Sequence, residues 1–342
     1  MSTDSQAGDV FSDHFASQET KSHQQPSDLG THRRVNPHKQ MLFRPTYSYL
    51  MQNIAQAFRD TSEQSVLLLY LSAPGVKILK NEEALKHGFT GGIATRGSKV
   101  HTGEKPNEFT ELSQVSNCLH PADLLPFTRK PMFMVVESNN SVCFQGVPRV
   151  FNQPFLCLMS PTSYVQPNTS QVGNLFTLFL HMPILGLLSV TGVNQMDAEQ
   201  WEVAKKHTEA LLSILADELG NTLQDSENRK FLGDVFLRRL MAHHQFCYTV
   251  LYYHHLHSDD PAYLPTSYPE FPNSLLTLEP VCEKLRALVE TLKSENQFPR
   301  LFASDIVNSQ TVETSQTTQQ AESTMSNVSS PDHAETMDVD SR

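Results

Sequence analysis

The sequence lacks the motifs that mark the common classes of enzyme. It contains no Gly-x-Ser-x-Gly nucleophile elbow, no His-Glu-x-x-His helix and no kinase signature. The loop at 72–75, which follows the first apolar segment, contains a proline and is not glycine-rich, so it does not resemble a phosphate-binding loop. We therefore predict a protein that is not an enzyme and that has no cofactor.

Basic residues are outnumbered by acidic ones. The 342 residues include 26 Lys and Arg and 37 Asp and Glu, which gives a net charge of −11. Direct binding to nucleic acid is not expected, because such binding depends on positive charge. A small basic cluster at 32–39 is compatible with a nuclear-import signal, although such clusters are common.

Cysteine pairs are missing as well. The sequence has five cysteines, an odd number, and no two of them have Cys-x-x-Cys spacing. The first ten residues are polar and acidic, so a secretory signal peptide is not expected. These features predict a reduced, intracellular protein in which the thiols are buried: Cys118, Cys143, Cys157, Cys247 and Cys282.

The middle of the chain does contain short apolar runs. Those at 65–72, 132–136 and 155–159 are apolar at consecutive positions, which is typical of strands buried on both faces of a parallel sheet. The segment between the last two runs is predicted to form a loop and a short helix. We predict an α/β fold: a doubly wound, mostly parallel sheet with additional C-terminal helices and disordered ends.

Amphipathic periodicity predicts the main helices. Thr46 is placed to cap the first, and Asp197 with Gln200 forms a capping box for the second, which is predicted to end at Gly220. The predicted helices cover 46–59, 197–220, 231–257 and a weaker 275–292, with a proline- and tyrosine-rich linker at 261–273. The apolar side of the third helix is predicted to be Phe231, Val235, Phe236, Leu240, Cys247, Val250 and Leu251.

These elements divide the chain into four parts. Both ends are poor in large apolar residues and are predicted to be disordered. The polar segment at 81–117 is predicted to be a long, mobile excursion. The predicted parts are 1–36, disordered; 37–195, an α/β domain; 196–294, a helical extension; and 295–342, a disordered acidic tail rich in Ser, Thr and Gln.

One apolar run raises the question of a membrane. Leu175–Val193 has about the length that a membrane-spanning helix requires, but it contains His181 and Pro183 and lacks basic flanks. A buried helix at 173–182, a proline break and a buried strand at 184–191 give the same composition. We expect this second arrangement, so membrane association is the minor alternative.

A polar loop follows the second buried strand, at the edge where doubly wound sheets bind ligands. Glu137, Ser138 and Ser141 are candidate ligands for a divalent cation, because hard cations prefer oxygen ligands. The spacing resembles the Asp-x-Ser-x-Ser motif of von Willebrand type A domains, with Glu137 in place of Asp and Asn139 in place of the first Ser. A turn and a helix N-cap at Asn140 or Ser141 is the preferred interpretation. Binding of a small ligand or metal at this loop is the alternative function.

Two further patterns suggest a metal but lack a full ligand set. HTGEKP at 101–106 matches the linker of tandem zinc fingers, yet no Cys-Cys-His-His set accompanies it, so we interpret the match as chance. Among five histidines of the third helix, His254 and His257 are spaced to share one metal at i and i+3, but no carboxylate or thiolate lies near them in a suitable register. All five are predicted to face solvent or the edge of the core: His243, His244, His254, His255 and His257.

The acidic tail contains candidate phosphorylation sites. Ser309, Ser315 and Thr318 each precede Gln, as in sites of DNA-damage kinases, and Ser330 precedes Pro. Each phosphate would add roughly −1.5 to −2 charges. A Gln- and Thr-rich segment also contains such pairs by chance, and we prefer this explanation.

Several unusual strings resemble the SCAI family, the suppressor of cancer cell invasion proteins. They are CLHPADLLPFTRKPMFMVVESNNSV at 118–142 and FNQPFLCLMSP at 151–161. Shorter blocks occur in the same order at 36–39, 43–46, 65–75, 173–180 and 231–237, so that the resemblance spans about 36–257. Glu137 departs from the Asp that is usual in the family. The chain resembles the carboxyl-terminal half of the family, which also has a long helical amino-terminal half.

The resemblance implies a nuclear transcriptional cofactor that is also found in the cytoplasm. It implies repression of myocardin-related transcription factors acting with serum response factor in Rho signalling, which limits cell migration and suppresses tumours. It also implies a link to repair of DNA double-strand breaks. The implied partners are transcription factors of this pathway and repair factors. The family supplies no catalytic residues.

Overall fold

The computed structural model describes residues 39–76, 91–97, 117–165, 174–224 and 226–303. The described residues from 42 to 303 belong to one compact unit. Along the described chain the elements are α1 (Tyr47–Asp60), β1 (Leu67–Ser72), β2 (Gly75–Val76), β3 (Gly92–Ala94), β4 (Cys118–Leu119), β5 (Met132–Glu137), β6 (Phe155–Met159), α2 (Leu175–His181), α3 (Pro183–Thr191), α4 (Ala198–Leu223), α5 (Arg229–Leu232), α6 (Val235–Tyr253), β7 (Thr266–Tyr268) and α7 (Glu279–Thr291). Short 3₁₀ helices include Pro121–Arg129, Ser141–Gly146 and Glu295–Gln297.

The three predicted strands lie side by side in a mixed sheet, with β1 at one edge. Leu68 and Tyr70 of β1 are each 40% exposed, so the prediction that this strand is buried on both faces was wrong. The strand order is β1-β5-β6-β7, with β1, β5 and β6 parallel and β7 antiparallel to β6. β7 lies within the stretch that was predicted to be a linker, and that prediction was wrong there. A three-residue strand at the edge of a sheet has no apolar run that would reveal it.

Alternate side chains of β5 enter two different hydrophobic cores. Met132, Met134 and Val136 pack against α1 and the 3₁₀ helices that precede and follow β5. Phe133 and Val135 point to the other face and pack among helices α2 to α7. Burial on both faces explains why the run is apolar at every position. The predicted α/β fold, with helices on both faces of the sheet, is confirmed.

The predicted helix caps are present. The hydroxyl of Thr46 accepts the backbone N–H of Tyr49 at 3.4 Å at the start of α1. Asp197 accepts the N–H of Gln200 at 2.7 Å, and the Gln200 side chain accepts the N–H of Asp197 at 3.4 Å. The predicted stop of α4 at Gly220 was wrong, because the helix continues to Leu223. Leu223 is buried in the helical core, and this packing extends the helix past the glycine.

The segment 184–191 was predicted to be a strand, and this prediction was wrong. It is helix α3, in which Ile184, Leu187 and Thr191 are buried at helical spacing. Gly186 lets the helix approach Phe179, since a Cβ there would lie 2.6 Å from the ring. A run that is apolar throughout does not distinguish a buried helix from a buried strand. No helix in the described part of the chain is long and apolar enough to cross a membrane.

The predicted third helix is two helices. α5 ends at Leu232, and α6 starts after a break at Gly233. The carboxylate of Asp234 caps the new helix, accepting the N–H groups of Phe236 at 2.9 Å and Leu237 at 3.0 Å. The break changes which residues of α6 face the core, with a consequence for the surface described below.

A small antiparallel sheet, β2-β3-β4, lies beside the carboxyl ends of the parallel strands. β3 belongs to the segment 81–117 that was predicted to be an excursion, and Gly92 and Ile93 in it are buried. The rest of that segment falls almost entirely outside the described residues, as does the HTGEKP string.

Candidate functional site

The carboxyl ends of β1, β5 and β6 meet at one edge of the sheet, where the sequence predicted a ligand site. The loop after β5 is held there by serine hydroxyls. The N–H of Ser138 donates to the Ser160 hydroxyl at 3.0 Å, and that hydroxyl is 3.1 Å from the Ser138 carbonyl. The Ser141 hydroxyl donates to the carbonyl of Ser160 at 2.7 Å. All three side chains are buried, so the loop is fixed to the residue that follows β6.

The two asparagines of the loop connect it to the small sheet. The Asn139 side chain accepts the N–H of Gly75 at 2.6 Å. The buried amide of Asn140 donates to the carbonyls of Val76 at 3.2 Å and Gly92 at 3.3 Å. A Cβ at position 75 would lie only 2.3 Å from the Cβ of Asn140, so only glycine fits at this close approach. The loop is therefore packed on both sides.

Glu137 points to the other face of the sheet, towards α2. Its Oε2 accepts the hydroxyl of Tyr70 at 3.2 Å and the hydroxyl of Thr177. Tyr70 and Thr177 also share a hydrogen bond of 2.8 Å. Burial, followed by the charge of Glu137, raises the pKa of Tyr70 and that of nearby Tyr164. The carboxylate is thus bound by neutral hydroxyl donors that stay protonated.

These contacts decide what the loop offers a metal. Ser138 Oγ accepts the N–H of Asn140 at 3.2 Å, and the Ser141 and Glu137 side chains are bonded as described above. A hard cation needs several free oxygen ligands. No group of three or more His, Cys, Asp or Glu residues in the described ranges has the arrangement of a metal site. The metal hypothesis for Glu137, Ser138 and Ser141 stays a prediction that these contacts do not support.

The buried cysteines are unsuited to nucleophilic chemistry. All five are free and buried. Burial raises the pKa of the Cys143 thiol to about 12 and also raises the pKa of Cys157 and Cys247. A thiol reacts as the thiolate, and burial disfavours that form.

Four of the five histidines are buried, so the predicted solvent-facing position applies only to His255. His243 donates from Nδ1 to the carbonyl of Leu180 at 2.7 Å, and His244 donates from Nε2 to the carbonyl of Thr266 at 3.0 Å. Burial lowers the pKa of His244 to about 4. Both histidines are neutral groups that join α6 to its neighbours.

His254 and His257 form a chain of hydrogen bonds at the end of α6. Nδ1 of His257 donates to Nδ1 of His254 at 3.0 Å, and Nε2 of His254 donates to the Gln297 side chain at 3.0 Å. Gln297 in turn donates to the carbonyl of Thr191 at 3.1 Å. Burial, and then the neighbouring His254 and His255, lower the pKa of His257 to about 4. The chain joins three elements and uses both ring nitrogens of His254 and Nδ1 of His257.

One exposed surface was missed by the sequence analysis. Val235 and Phe236 were placed on the apolar side of a continuous helix, but they are 69% and 54% exposed. Arg238 and Arg239 are exposed beside them. We call these four residues the α6 patch. The sequence signal for it was the Gly-Asp break at 233–234, which starts a new helix and so changes the face that is buried.

The candidate phosphorylation sites Ser309, Ser315, Thr318 and Ser330 lie outside the described residues.

Comparison with known proteins identifies relatives over most of the chain. A family model described as Protein SCAI matches residues 2–257. Protein SCAI of Mus musculus is 36% identical over 265 residues, which cover 76% of this chain and 43% of that protein. Protein SCAI of Homo sapiens is 35% identical over 289 residues, which cover 83% of this chain and 48% of that protein. The Protein SCAI homolog of Dictyostelium discoideum is 34% identical over 183 residues, which cover 53% of this chain and 23% of that protein.

The chain spans about half the length of the mouse and human relatives that it matches. No solved structure matches it.

Proposed function

We propose that this chain, which belongs to the SCAI family, acts as a non-enzymatic co-regulator of transcription in the nucleus and is also present in the cytoplasm. The observation that carries the proposal is the family relationship, at 35% to 36% identity over three quarters or more of the chain.

We further propose that the chain represses transcription by myocardin-related transcription factors and serum response factor in Rho signalling. This activity would limit cell migration and suppress tumours, and a second role lies in repair of DNA double-strand breaks. The proposed partners are transcription factors of this pathway and break-repair factors. The chain spans about half of its relatives, so each role of the whole protein is a proposal for this chain.

The geometry supports an interaction role in preference to chemistry. The polar loop at the carboxyl edge binds other parts of the same chain, with Ser141 and Asn140 both committed to backbone carbonyls. The thiols are buried, and burial disfavours their reactive form. In contrast, the α6 patch presents two apolar and two basic side chains to solvent, where a partner can reach them.

The test is to express the full chain in cells with a reporter driven by serum response factor. We expect lower reporter activity, and recovery of a myocardin-related factor with the chain from nuclear extract. A parallel purification after DNA damage should recover break-repair factors. A Phe133→Asp variant, which places a charge in the helical core, is the control for a folded requirement. Recovery of neither class of factor, together with an unchanged reporter, would refute the co-regulator role.

A further inference from the structure

The α6 patch occupies one side of the first two turns of its helix. At 100° per residue, its four members lie within about 160° of the helix circumference. Leu237, Leu240 and Met241 lie on the opposite side and are buried. The patch is therefore a continuous face of apolar and basic side chains.

The charged members of the patch are Arg238 and Arg239, which are both exposed. Among the described residues, neither Arg238 nor Arg239 forms an ion pair with a carboxylate. The charges of Arg239 and His181 both lower the pKa of His243, after the larger effect of burial, which places both groups near that ring. Asp234 is the acidic residue at the start of the helix, and its carboxylate is occupied by two backbone N–H groups.

An apolar surface with unpaired arginines is complementary to an acidic segment that also carries apolar side chains. The sequence contains such a segment. Residues 304–342 include seven Asp and Glu and one Arg. In 332–340 the four acidic residues Asp332, Glu335, Asp338 and Asp340 alternate with apolar Met337 and Val339. The acidic residues of this segment are complementary to the arginines of the patch, and its apolar residues are complementary to Val235 and Phe236.

The length of the tail allows contact within one chain. Residue 303 is the last described residue, and about 30 residues separate it from 332. A flexible chain of that length has a root-mean-square span of roughly 30 Å, and an extended one reaches about three times as far. Tethering also gives the segment an effective concentration on the order of millimolar, so a weak ionic and apolar contact suffices.

We propose that the acidic segment 332–340 docks on the α6 patch of the same chain, with its carboxylates on Arg238 and Arg239 and its apolar side chains on Val235 and Phe236. The docked tail covers the surface, so an external acidic partner has to displace it. This inference goes beyond the proposed function, because it concerns the occupant of one surface and holds whichever factor the protein regulates.

The test uses the purified full chain with photoreactive p-benzoylphenylalanine at position 236. That side chain resembles Phe and replaces an exposed ring, so the fold is retained. After irradiation, mass spectrometry of the monomer is expected to locate crosslinks in 332–340. Isotope-labelled and unlabelled chains are mixed to distinguish crosslinks within a chain from those between chains.

Charge variants connect the crosslink to the arginines. Combined Arg238→Glu and Arg239→Glu should reduce the crosslink yield at least about fivefold, the scale expected from the loss of two exposed ion pairs. Combined Lys205→Glu and Lys206→Glu makes the same charge change on an exposed part of α4 and should leave the yield unchanged. Raising the salt concentration from about 0.05 M to about 0.5 M should also lower the yield.

Crosslinks confined to residues outside 332–340 would overturn the proposal. Crosslinks that form only between two copies would overturn its intramolecular form. A yield that does not respond to the arginine variants would show that charge does not hold the segment in place. None of these outcomes depends on the transcriptional assays, so the two proposals can fail separately.

Discussion

Replacing Gly75 with alanine tests the close packing of the loop after β5. A Cβ at this position would lie 2.3 Å from Asn140 Cβ, 2.6 Å from Asn139 Oδ1 and 2.8 Å from the Asn140 nitrogen. Asn140 cannot move easily, because it is buried and its amide bonds to Val76 and Gly92. Asn139 can turn away only by giving up its 2.6 Å bond from the Gly75 N–H.

These distances set the expected loss of stability. Overpacking of a rigid site costs about 1–3 kcal/mol, and one lost hydrogen bond costs about 1 kcal/mol. Alanine also lowers the conformational entropy of the unfolded chain, which stabilises the folded state by about 0.4–1 kcal/mol. The free energy of unfolding of Gly75→Ala should therefore fall by about 2 kcal/mol, measured by equilibrium urea denaturation of the full chain.

Gly220→Ala is the matched control. This glycine lies inside α4, and no atom lies within 4 Å of an added Cβ. Alanine should stabilise the helix by about 0.5–1 kcal/mol. If Gly75→Ala stays within about 0.5 kcal/mol of the unmodified chain, the loop is not packed as described. The side chains of Glu137–Ser141 would then be available to a ligand, and the ligand-site hypothesis would be favoured again.

Three further predictions concern the helical layer and the buried groups. Asp234→Ala should lower the free energy of unfolding by about 1 kcal/mol, because two N–H groups of α6 lose their acceptor; Asp217→Ala, at an exposed position of α4, should change it by less than about 0.5 kcal/mol. His244 and His257 each have a pKa of about 4 in the folded chain against an ordinary 6.5, so the unfolded chain binds more protons. The contribution of these two histidines to the free energy of unfolding should be complete above pH 6.5 and should fall towards pH 4, by up to about 1.4 kcal/mol per pH unit for each histidine. A melting temperature that is unchanged between these pH values would contradict the burial of both rings. The five thiols should react with a thiol reagent only as fast as the chain unfolds, and rapid labelling of the native chain would show that they are accessible.

The layers of the fold were readable from local patterns. Consecutive apolar residues in 132–136 identified a strand buried on both faces, and burial of all these side chains confirms it. The capping residues Thr46 and Asp197 marked two helix starts, because a cap depends only on residues three positions away. Where a structural feature depends only on nearby residues, as these do, the sequence was sufficient to predict it.

The site was harder to predict because its contacts are distant in sequence. Ser141 and Ser160 are 19 residues apart, and Gly75 and Asn139 are 64 apart. A polar loop with free side chains and one with bonded side chains have the same composition. The sequence located the loop at the carboxyl edge, but it did not tell whether the hydroxyls were available to a ligand.

The sequence by itself determined the family, the parallel strands and the ends of several helices, since each depends on the identity and spacing of nearby residues. The tertiary structure decided that 184–191 is a helix, that β7 joins the sheet, and that Val235 and Phe236 face solvent. Hydrophobicity states which residues can be buried, but which of them are buried depends on the elements that pack beside them. The α6 patch exists because the new helix that starts at Val235 faces the core with Leu237, Leu240 and Met241. Val235 and Phe236 therefore lie on the side that faces solvent.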